Sequence, residues 1–520
     1  MPATADTLIY CSEASPESFN PMLGLGGTTY DANAQIYNRL VELERGSSEI
    51  VPALAESWEI SKDGLTYTFH LRRGVKWHTR PEFTPTRDFN ADDVVFTFDR
   101  QRNEDDPYFK VGGGVYEYYY GMGFNELITD VKKIDDYTVQ LTLARPDASL
   151  LAALTPEPMS VMSAEYADAM LAAGTPDVVD TTPIGTGAFV MVDYQKDSAI
   201  RYQAFDDYWA KAAGMADRVA MVENLIFAIT PDASVRVAKL RAGECHVMRF
   251  PNPADVAALK ADPNIVTQEA PELYYGYLGY NAQKEPLGDK RVRQALNYAV
   301  NLDDIMEAVF LDVTGQKAAA LIPPSLWGSD PDAKSYPYDP QKAKQLLAEA
   351  GYPNGFATEI WAMPVQRPYM PNGQRAAELI QADWAAIGVE AKIVSYEWGE
   401  YLKRSREGEH QTVLLGWGYD FADPGQILVL GWTCQAAEVG ANRSRWCNRD
   451  FDKLVEEAQL VSDQAKRTEL YLQAQKIFYE EAPALLIAYP VGYIMSSPKV
   501  EGLKPQPVGG QAFFGVSLKQ

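Results

Sequence analysis

Apolar and polar residues alternate along Leu65-Thr-Tyr-Thr-Phe-His-Leu71, directly after the turn Lys62-Asp63-Gly64, and this period of two predicts a strand. Residues 132–143 predict a hairpin, with Asp135-Asp136 at the tip and Thr138-Val-Gln-Leu-Thr-Leu143 as the returning strand. Between them, Asn90-Ala-Asp-Asp-Val-Val-Phe-Thr-Phe-Asp99 has an Asn cap and an acidic first turn, the opening of a helix. A strand at 7–10 and a short apolar helix at 148–154 complete this part. From about residue 180 the rhythm changes. Pro183-Ile-Gly-Thr-Gly187 is a turn feeding a strand that runs to 192. A strand at 226–230, an Asp232-capped helix to 240, a strand at 243–250 and a helix at 252–261 make a mixed α/β unit.

Tyr274-Tyr-Gly-Tyr-Leu-Gly-Tyr-Asn281 is aromatic and strand-prone, broken by Gly276 and Gly279, and opens a second α/β run. Helices are expected at 290–299, 303–310, 340–350 and 373–386, with strands at 357–363, 389–394 and 411–415. One or two long helices fill 453–481, a strand follows at 484–490, and the last thirty residues are rich in Gly and Pro with short strands. The pattern alone predicts two α/β lobes, with connecting strands near 274–281 and 488–494, and a cleft whose closure by hinge motion is a known use of that architecture.

A chain of 520 residues is too long for one hydrophobic core, and 46% hydrophobic with 23% charged residues excludes wholesale disorder. Asp and Glu number 71 against 47 Lys and Arg, a net charge of −24, which argues against binding a phosphate backbone. The most apolar stretch, 414–430, is interrupted by Asp420, Asp423 and Pro424, so no membrane helix is expected. The opening residues have no basic head or apolar run, and the chain reads as a mature domain whose export signal has been removed; a cytoplasmic protein that never had one is the alternative at this level. Four cysteines, Cys11, Cys245, Cys434 and Cys447, form no CxxC pair, and with only four His no zinc site or other cofactor is expected. The loop from Cys434 to Cys447 is one that a disulfide could close; four buried thiols remain the alternative at this level.

No GxSxG elbow, GxxxxGK[ST] cradle or HExxH pair is present. Pro183-Ile-Gly-Thr-Gly187 lacks the third glycine of a dinucleotide turn and opens a strand rather than a helix. An enzyme is therefore not expected; carboxylate number alone leaves a cleft glycosidase as the remote alternative.

Several segments resemble, in order, the signature of family 5 extracellular solute-binding proteins, receptors of peptide and nickel ABC importers. They are Glu56-Ser-Trp-Glu59, Asp63-Gly-Leu-Thr-Tyr-Thr-Phe-His-Leu-Arg-Arg-Gly-Val-Lys-Trp77, Asn90-Ala-Asp-Asp-Val-Val-Phe96, Pro183-Ile-Gly-Thr-Gly187, Val292-Arg-Gln-Ala-Leu-Asn-Tyr-Ala-Val300 and Tyr338-Asp-Pro-Gln-Lys-Ala-Lys344. Tyr10-Cys-Ser-Glu13, Tyr116-Glu-Tyr118, Ala362-Met-Pro-Val-Gln-Arg-Pro-Tyr369 and Tyr396-Glu-Trp-Gly-Glu-Tyr-Leu402 are similar to the family's dipeptide receptors. The resemblance implies an α/β, two-lobed clamshell of the type II periplasmic-binding-protein class, with an extra subdomain in lobe one. Lobe one would comprise 1–52, the extra subdomain 53–180, 181–273 and a return segment 489–520, with lobe two at 274–488. It also implies the disulfides Cys11–Cys245 and Cys434–Cys447, a periplasmic location and a monomer that works with a membrane permease.

The expected cargo is a dipeptide or other short peptide; a longer peptide, haem or a nickel chelate is the alternative within the family. A free peptide is a zwitterion, and a low-dielectric site must meet its ammonium with a carboxylate and its carboxylate with a guanidinium, because an unpaired charge there costs several kcal/mol. The resemblance places Asp420, in Gly416-Trp-Gly-Tyr-Asp420, at the ammonium position and Arg367, whose planar fork suits bidentate pairing, at the carboxylate position. It further implies that Tyr369, Trp398 and Trp417 wall the side-chain pockets, with Gly418 and Tyr419 beside the acid. Gly27, Thr28, Thr29 and Tyr116 would add backbone or hydroxyl contacts from lobe one. The sequence departs from the family pattern at Tyr419 and Phe421, larger and less polar than expected, which predicts a narrowed or reshaped pocket.

Overall fold

A computed structural model describes residues 7–24, 26–114, 116–396, 398–438 and 440–519, apart from the side chains of 271, 398 and 399. The chain divides into two compact units, Met1–Ala270 with Tyr493–Gln520, and Pro271–Gly492. The second therefore begins a little before, and ends a little after, the span 274–488 that the sequence suggests.

In the first unit, strand Thr7–Ser12 lies parallel to Asn224–Ile229, with Thr7 opposite Asn224 and Ser12 opposite Ile229, and parallel to Val247–Arg249 on its other side. Ala199–Ala204 and Phe189–Gln195 extend the sheet antiparallel. Cys11, in the first strand, is bonded to Cys245, just before the strand it neighbours, with Cα atoms 5.9 Å apart. A separate antiparallel sheet runs in the order Ala55–Ile60, Thr66–Leu71, Thr138–Leu143, Ile128–Asp135. Its helix, Ala91–Arg102, opens as its sequence predicts: Asn90 accepts from the Asp92 amide at 2.9 Å while Asp93 accepts from the Asn90 amide at 2.9 Å, a reciprocal cap.

The second unit is built on the sheet order Glu390–Val394, Ala357–Trp361, Thr412–Gly418, Tyr274–Tyr280, Ala484–Ser496. The first three strands are parallel, and Tyr274–Tyr280 runs antiparallel to both of its neighbours. Trp361, Trp384, Tyr275 and Tyr280 are wholly buried in its core, and polar tips are satisfied there: Tyr280 donates to Asn297 at 2.6 Å and Trp384 to the Leu296 carbonyl at 3.2 Å. Cys434 and Cys447 are bonded with Cα atoms 4.4 Å apart, so both implied pairings are present.

Two elements differ from the sequence reading for local reasons. The strand expected at 243–250 is only Val247–Arg249, because Gly243, at φ +74°, is the left-handed terminus of the preceding helix. The helix expected at 252–261 is a 3₁₀ turn at Pro253–Asp255 followed by Val256–Lys260. The run 453–481, read as one or two long helices, is two, Arg449–Gln459 and Gln464–Glu481, the second started by Asp463 accepting from the Lys466 amide at 2.8 Å. Among the described residues no helix is long and apolar enough to cross a membrane. The apolar stretch 414–430 instead contains the end of a strand and most of helix Pro424–Trp432, with Asp423 as its cap and Pro424 in its first turn.

Candidate functional site

Two paired strands of the second unit create a recess by lacking side chains. Tyr274 lies opposite Gly418, Tyr275 opposite Trp417, and Gly276 opposite Gly416. Because successive residues face opposite sides of a sheet, Tyr274, Gly276, Gly416 and Gly418 share one face. A Cβ on Gly416 would overlap the Tyr369 ring, one on Gly276 the Tyr369 carbonyl, and one on Gly418 the Tyr274 ring. The two tyrosine rings stack, with centroids 6.4 Å apart and planes 26° apart. Segment 367–370 is seated there as a closed turn, with the Arg367 amide donating to the Met370 carbonyl at 3.2 Å and the Met370 amide returning at 3.0 Å. Arg367 is half-buried, donates to the Gln366 carbonyl at 3.0 Å and hydrogen-bonds the Tyr369 phenol. Burial pushes that phenol's pKa up, and the guanidinium opposes the shift.

Beyond Gly418 the chain alternates between core and surface. Tyr419 is buried, its amide donating to the Leu273 carbonyl at 2.8 Å and its hydroxyl to the Leu321 carbonyl at 3.3 Å. Phe421 is buried too. Asp420, between these two anchors, is turned outward. The residue as a whole is exposed, yet its neighbours strip water from the carboxylate and push its pKa above the usual range, while Gln426 pulls it back. The Asp420 amide donates to Gln426 Oε1 at 2.9 Å, and Gln426 Nε2 donates to Asp420 Oδ2. Among the described residues no cation forms an ion pair with Asp420, and no cation contributes to its shift. A partly desolvated acid that is held by a neutral amide is suited to receive a cation from outside the chain.

The helix carrying Gln426 is itself pinned. Asp423 caps it by accepting from the Gly425 amide at 2.8 Å, and Arg467 grips Asp423 from helix Gln464–Glu481. The Arg467 guanidinium lies 4.9 Å from the Trp327 ring, whose indole nitrogen donates to the Ala422 carbonyl at 3.2 Å.

The remaining expected contacts fall differently. Trp417 points to the sheet face opposite Tyr369 and packs toward the helix: a Cβ on Gly431 would lie 3.8 Å from its ring. The side chain of Trp398 lies outside the described residues; its backbone belongs to helix Trp398–Glu407. Two of the expected contacts have their hydroxyls engaged within the fold. Tyr419 is a core residue, its hydroxyl donating to the Leu321 carbonyl. Tyr116, in the first unit, is wholly buried, and its hydroxyl joins the Tyr108 and Phe109 carbonyls at 3.2 and 3.1 Å and Arg100 at 3.4 Å. Gly27 is exposed at the start of the short helix Gly27–Asn33, but the two hydroxyls after it are used locally. Thr29 accepts from the Glu17 amide at 2.9 Å and Thr28 donates to the Ser15 carbonyl at 3.3 Å.

Sequence reasoning missed Tyr274, Gly276, Gly416 and Gln426. The glycines left a readable trace, since Gly276 and the Gly416/Gly418 pair interrupt strands that are otherwise rich in β-formers. Nothing in the sequence marks Gln426.

Residues 49–438 match the family model described as bacterial extracellular solute-binding proteins, family 5 middle. The chain is similar to the dipeptide-binding protein of Escherichia coli (strain K12), 55% identical over 516 residues, spanning 99% of this chain and 95% of that one. It is also similar to heme-binding protein A of Haemophilus influenzae, 48% identical over 517 residues, with 99% and 92% covered. Among solved structures, HbpA2 from Haemophilus parasuis superposes with a TM-score of 0.95 at 44% identity, covering 99% of this chain and 100% of that one.

Proposed function

Because this chain belongs to the bacterial extracellular solute-binding proteins of family 5, with their two-lobed α/β fold, and is therefore a binding protein rather than an enzyme, we propose that it is the periplasmic receptor of an ABC importer for dipeptides. It captures the peptide by its charged ends and hands it unchanged to the membrane permease. The observation that carries this reading is the state of Asp420, an acid partly stripped of water whose charge no described cation offsets. A peptide ammonium supplies that missing partner, and the Arg367 guanidinium, in the same unit, supplies the complement for the peptide carboxylate. The protein in Escherichia coli that is 55% identical is named for dipeptides, which favours the two-residue cargo. Delivery needs only that the liganded and unliganded forms differ in their affinity for the permease.

Calorimetry with Ala-Ala, N-acetyl-Ala-Ala, Ala-Ala-amide, a tripeptide and haemin tests the reading. Ala-Ala is expected to bind, and blocking either end is expected to weaken binding by at least about 100-fold, the scale of leaving one partner of a desolvated ion pair unmatched. Equal binding of the blocked and free peptides, or binding of haemin alone, overturns it.

A further inference from the structure

We infer that Gln426 is a positioning residue for peptide capture: its side-chain amide holds Asp420 at both the backbone nitrogen and one carboxylate oxygen, and so selects the other oxygen, Oδ1, for the incoming ammonium. This rests on the proposed role of Asp420. The orientation of the amide follows from its partners. A backbone N–H only donates, so the Asp420 amide at 2.9 Å and the Phe421 amide at 3.4 Å require Oε1 on their side. That places Nε2 against Oδ2, where an ionised carboxylate only accepts. Gln426 is buried, 4% exposed, which shields its end of these bonds from water. Its helix is held in turn by the Asp423 cap and the Arg467 pair.

The choice of an amide has a physical consequence. Lys or Arg at this position would orient Asp420 equally well but would cancel its charge and occupy the place of the ligand's ammonium. An amide fixes direction and leaves the charge free. The charged groups on the adjoining elements do not substitute for the amide, since Asp423 and Arg467 neutralise each other and burial keeps the Tyr419 phenol protonated.

The test uses Gln426→Met, similar in length and without hydrogen-bonding capacity. In the ligand-free protein, carboxyl NMR should show the Asp420 midpoint moving to higher pH, because the bond that favours its ionised form is lost. Calorimetry should show the Kd for Ala-Ala rising at least about tenfold, the loss of one hydrogen bond to a charged group, and binding failing at a higher pH than in the wild type. The melting temperature of the ligand-free variant reports whether it folds. If it does not, the wild type still decides the matter: the Gln426 side-chain amide resonance should titrate together with the Asp420 carboxyl. An unshifted Asp420 midpoint with an unchanged Kd, or an amide resonance indifferent to that titration, overturns the inference and leaves the receptor reading standing. Wild-type protein that ignores Ala-Ala overturns the receptor reading, and this inference with it.

Discussion

Arg467 grips Asp423 with both arms of its guanidinium, at 2.7 and 2.8 Å, where the two side chains are only 5% and 4% exposed. The attraction pushes the Arg467 pKa further above its ordinary value, against the opposing effect of burial. Breaking such a pair from one side leaves a buried charge alone, which costs about 3–5 kcal/mol. Arg467→Met is therefore expected to lower the melting temperature by about 6–20 °C, taking about 2–4 °C per kcal/mol for a domain of this size. Replacing both partners together should recover part of the loss. Thermal melts of the two single variants and the double variant check this; a double variant that loses the sum of the two single losses would show that the pair carries no coupling.

Gly416→Ala places a methyl group where the Tyr369 ring now lies. The ring and the 367–370 turn must shift, at a cost of about 1–3 kcal/mol for overpacking. Since Arg367 is in that turn, both the melting temperature and the affinity for Ala-Ala should fall. A variant that melts lower yet binds normally would separate Tyr369 from the peptide site.

Arg367→Lys keeps the positive charge and loses the planar fork. It is expected to raise the Kd for Ala-Ala about tenfold, and Arg367→Ala about 100-fold or more, in line with about 1.4 kcal/mol per decade. Ala-Ala-amide, which has no carboxylate, should bind the wild type and both variants equally weakly. If Arg367→Ala weakens the amide as much as the free acid, Arg367 acts through folding rather than through the carboxylate.

Two buried imidazoles make the fold sensitive to acid. His78 and His410 have pKa values lowered from 6.5 to about 4 and about 3, burial being the main cause; Lys284, Arg443 and Arg445 add to it at His410. At His78 the neutral form is built in, since Nδ1 accepts from the Gly185 amide at 3.3 Å, whereas at His410 the bond from Nε2 to the Arg443 carbonyl at 2.7 Å opposes the shift without outweighing burial. With the folded pKa below the unfolded one, the unfolded chain binds more protons as pH falls from about 6.5. The contribution of each His is therefore complete above about 6.5 and is lost toward its folded value. Denaturant melts of wild type and His410→Gln from pH 7 to 4.5 check the sign: the variant should lose less stability on acidification, and parallel curves would contradict it.

Elements with a local signal were legible in the sequence. The Asn90 and Asp232 caps, the hairpin at 132–143 and the alternation at Thr66–Leu71 each depend on residues within a few positions, and each is present. What depends on distant partners was not legible. The buried Tyr116 hydroxyl is met by Arg100 and the 108–109 carbonyls, and the Tyr419 hydroxyl donates to the Leu321 carbonyl. Strand parity already places Trp417 on the face opposite Gly416 and Gly418, but which face carries Tyr369 is decided by a turn some fifty residues earlier. Resemblance alone singles out the acid at 420; its desolvation and its amide clasp are properties of the folded chain.

Titrating Asp420→Asn with Ala-Ala in a calorimeter asks whether the carboxylate of Asp420 receives a peptide ammonium, since the variant keeps the size of the side chain and removes only its charge. No measurable heat of binding is expected at concentrations that saturate the wild type, with the ligand-free melting temperature nearly unchanged. Wild-type affinity in that variant would contradict the role of Asp420 and, with it, the capture of peptides by their charged ends.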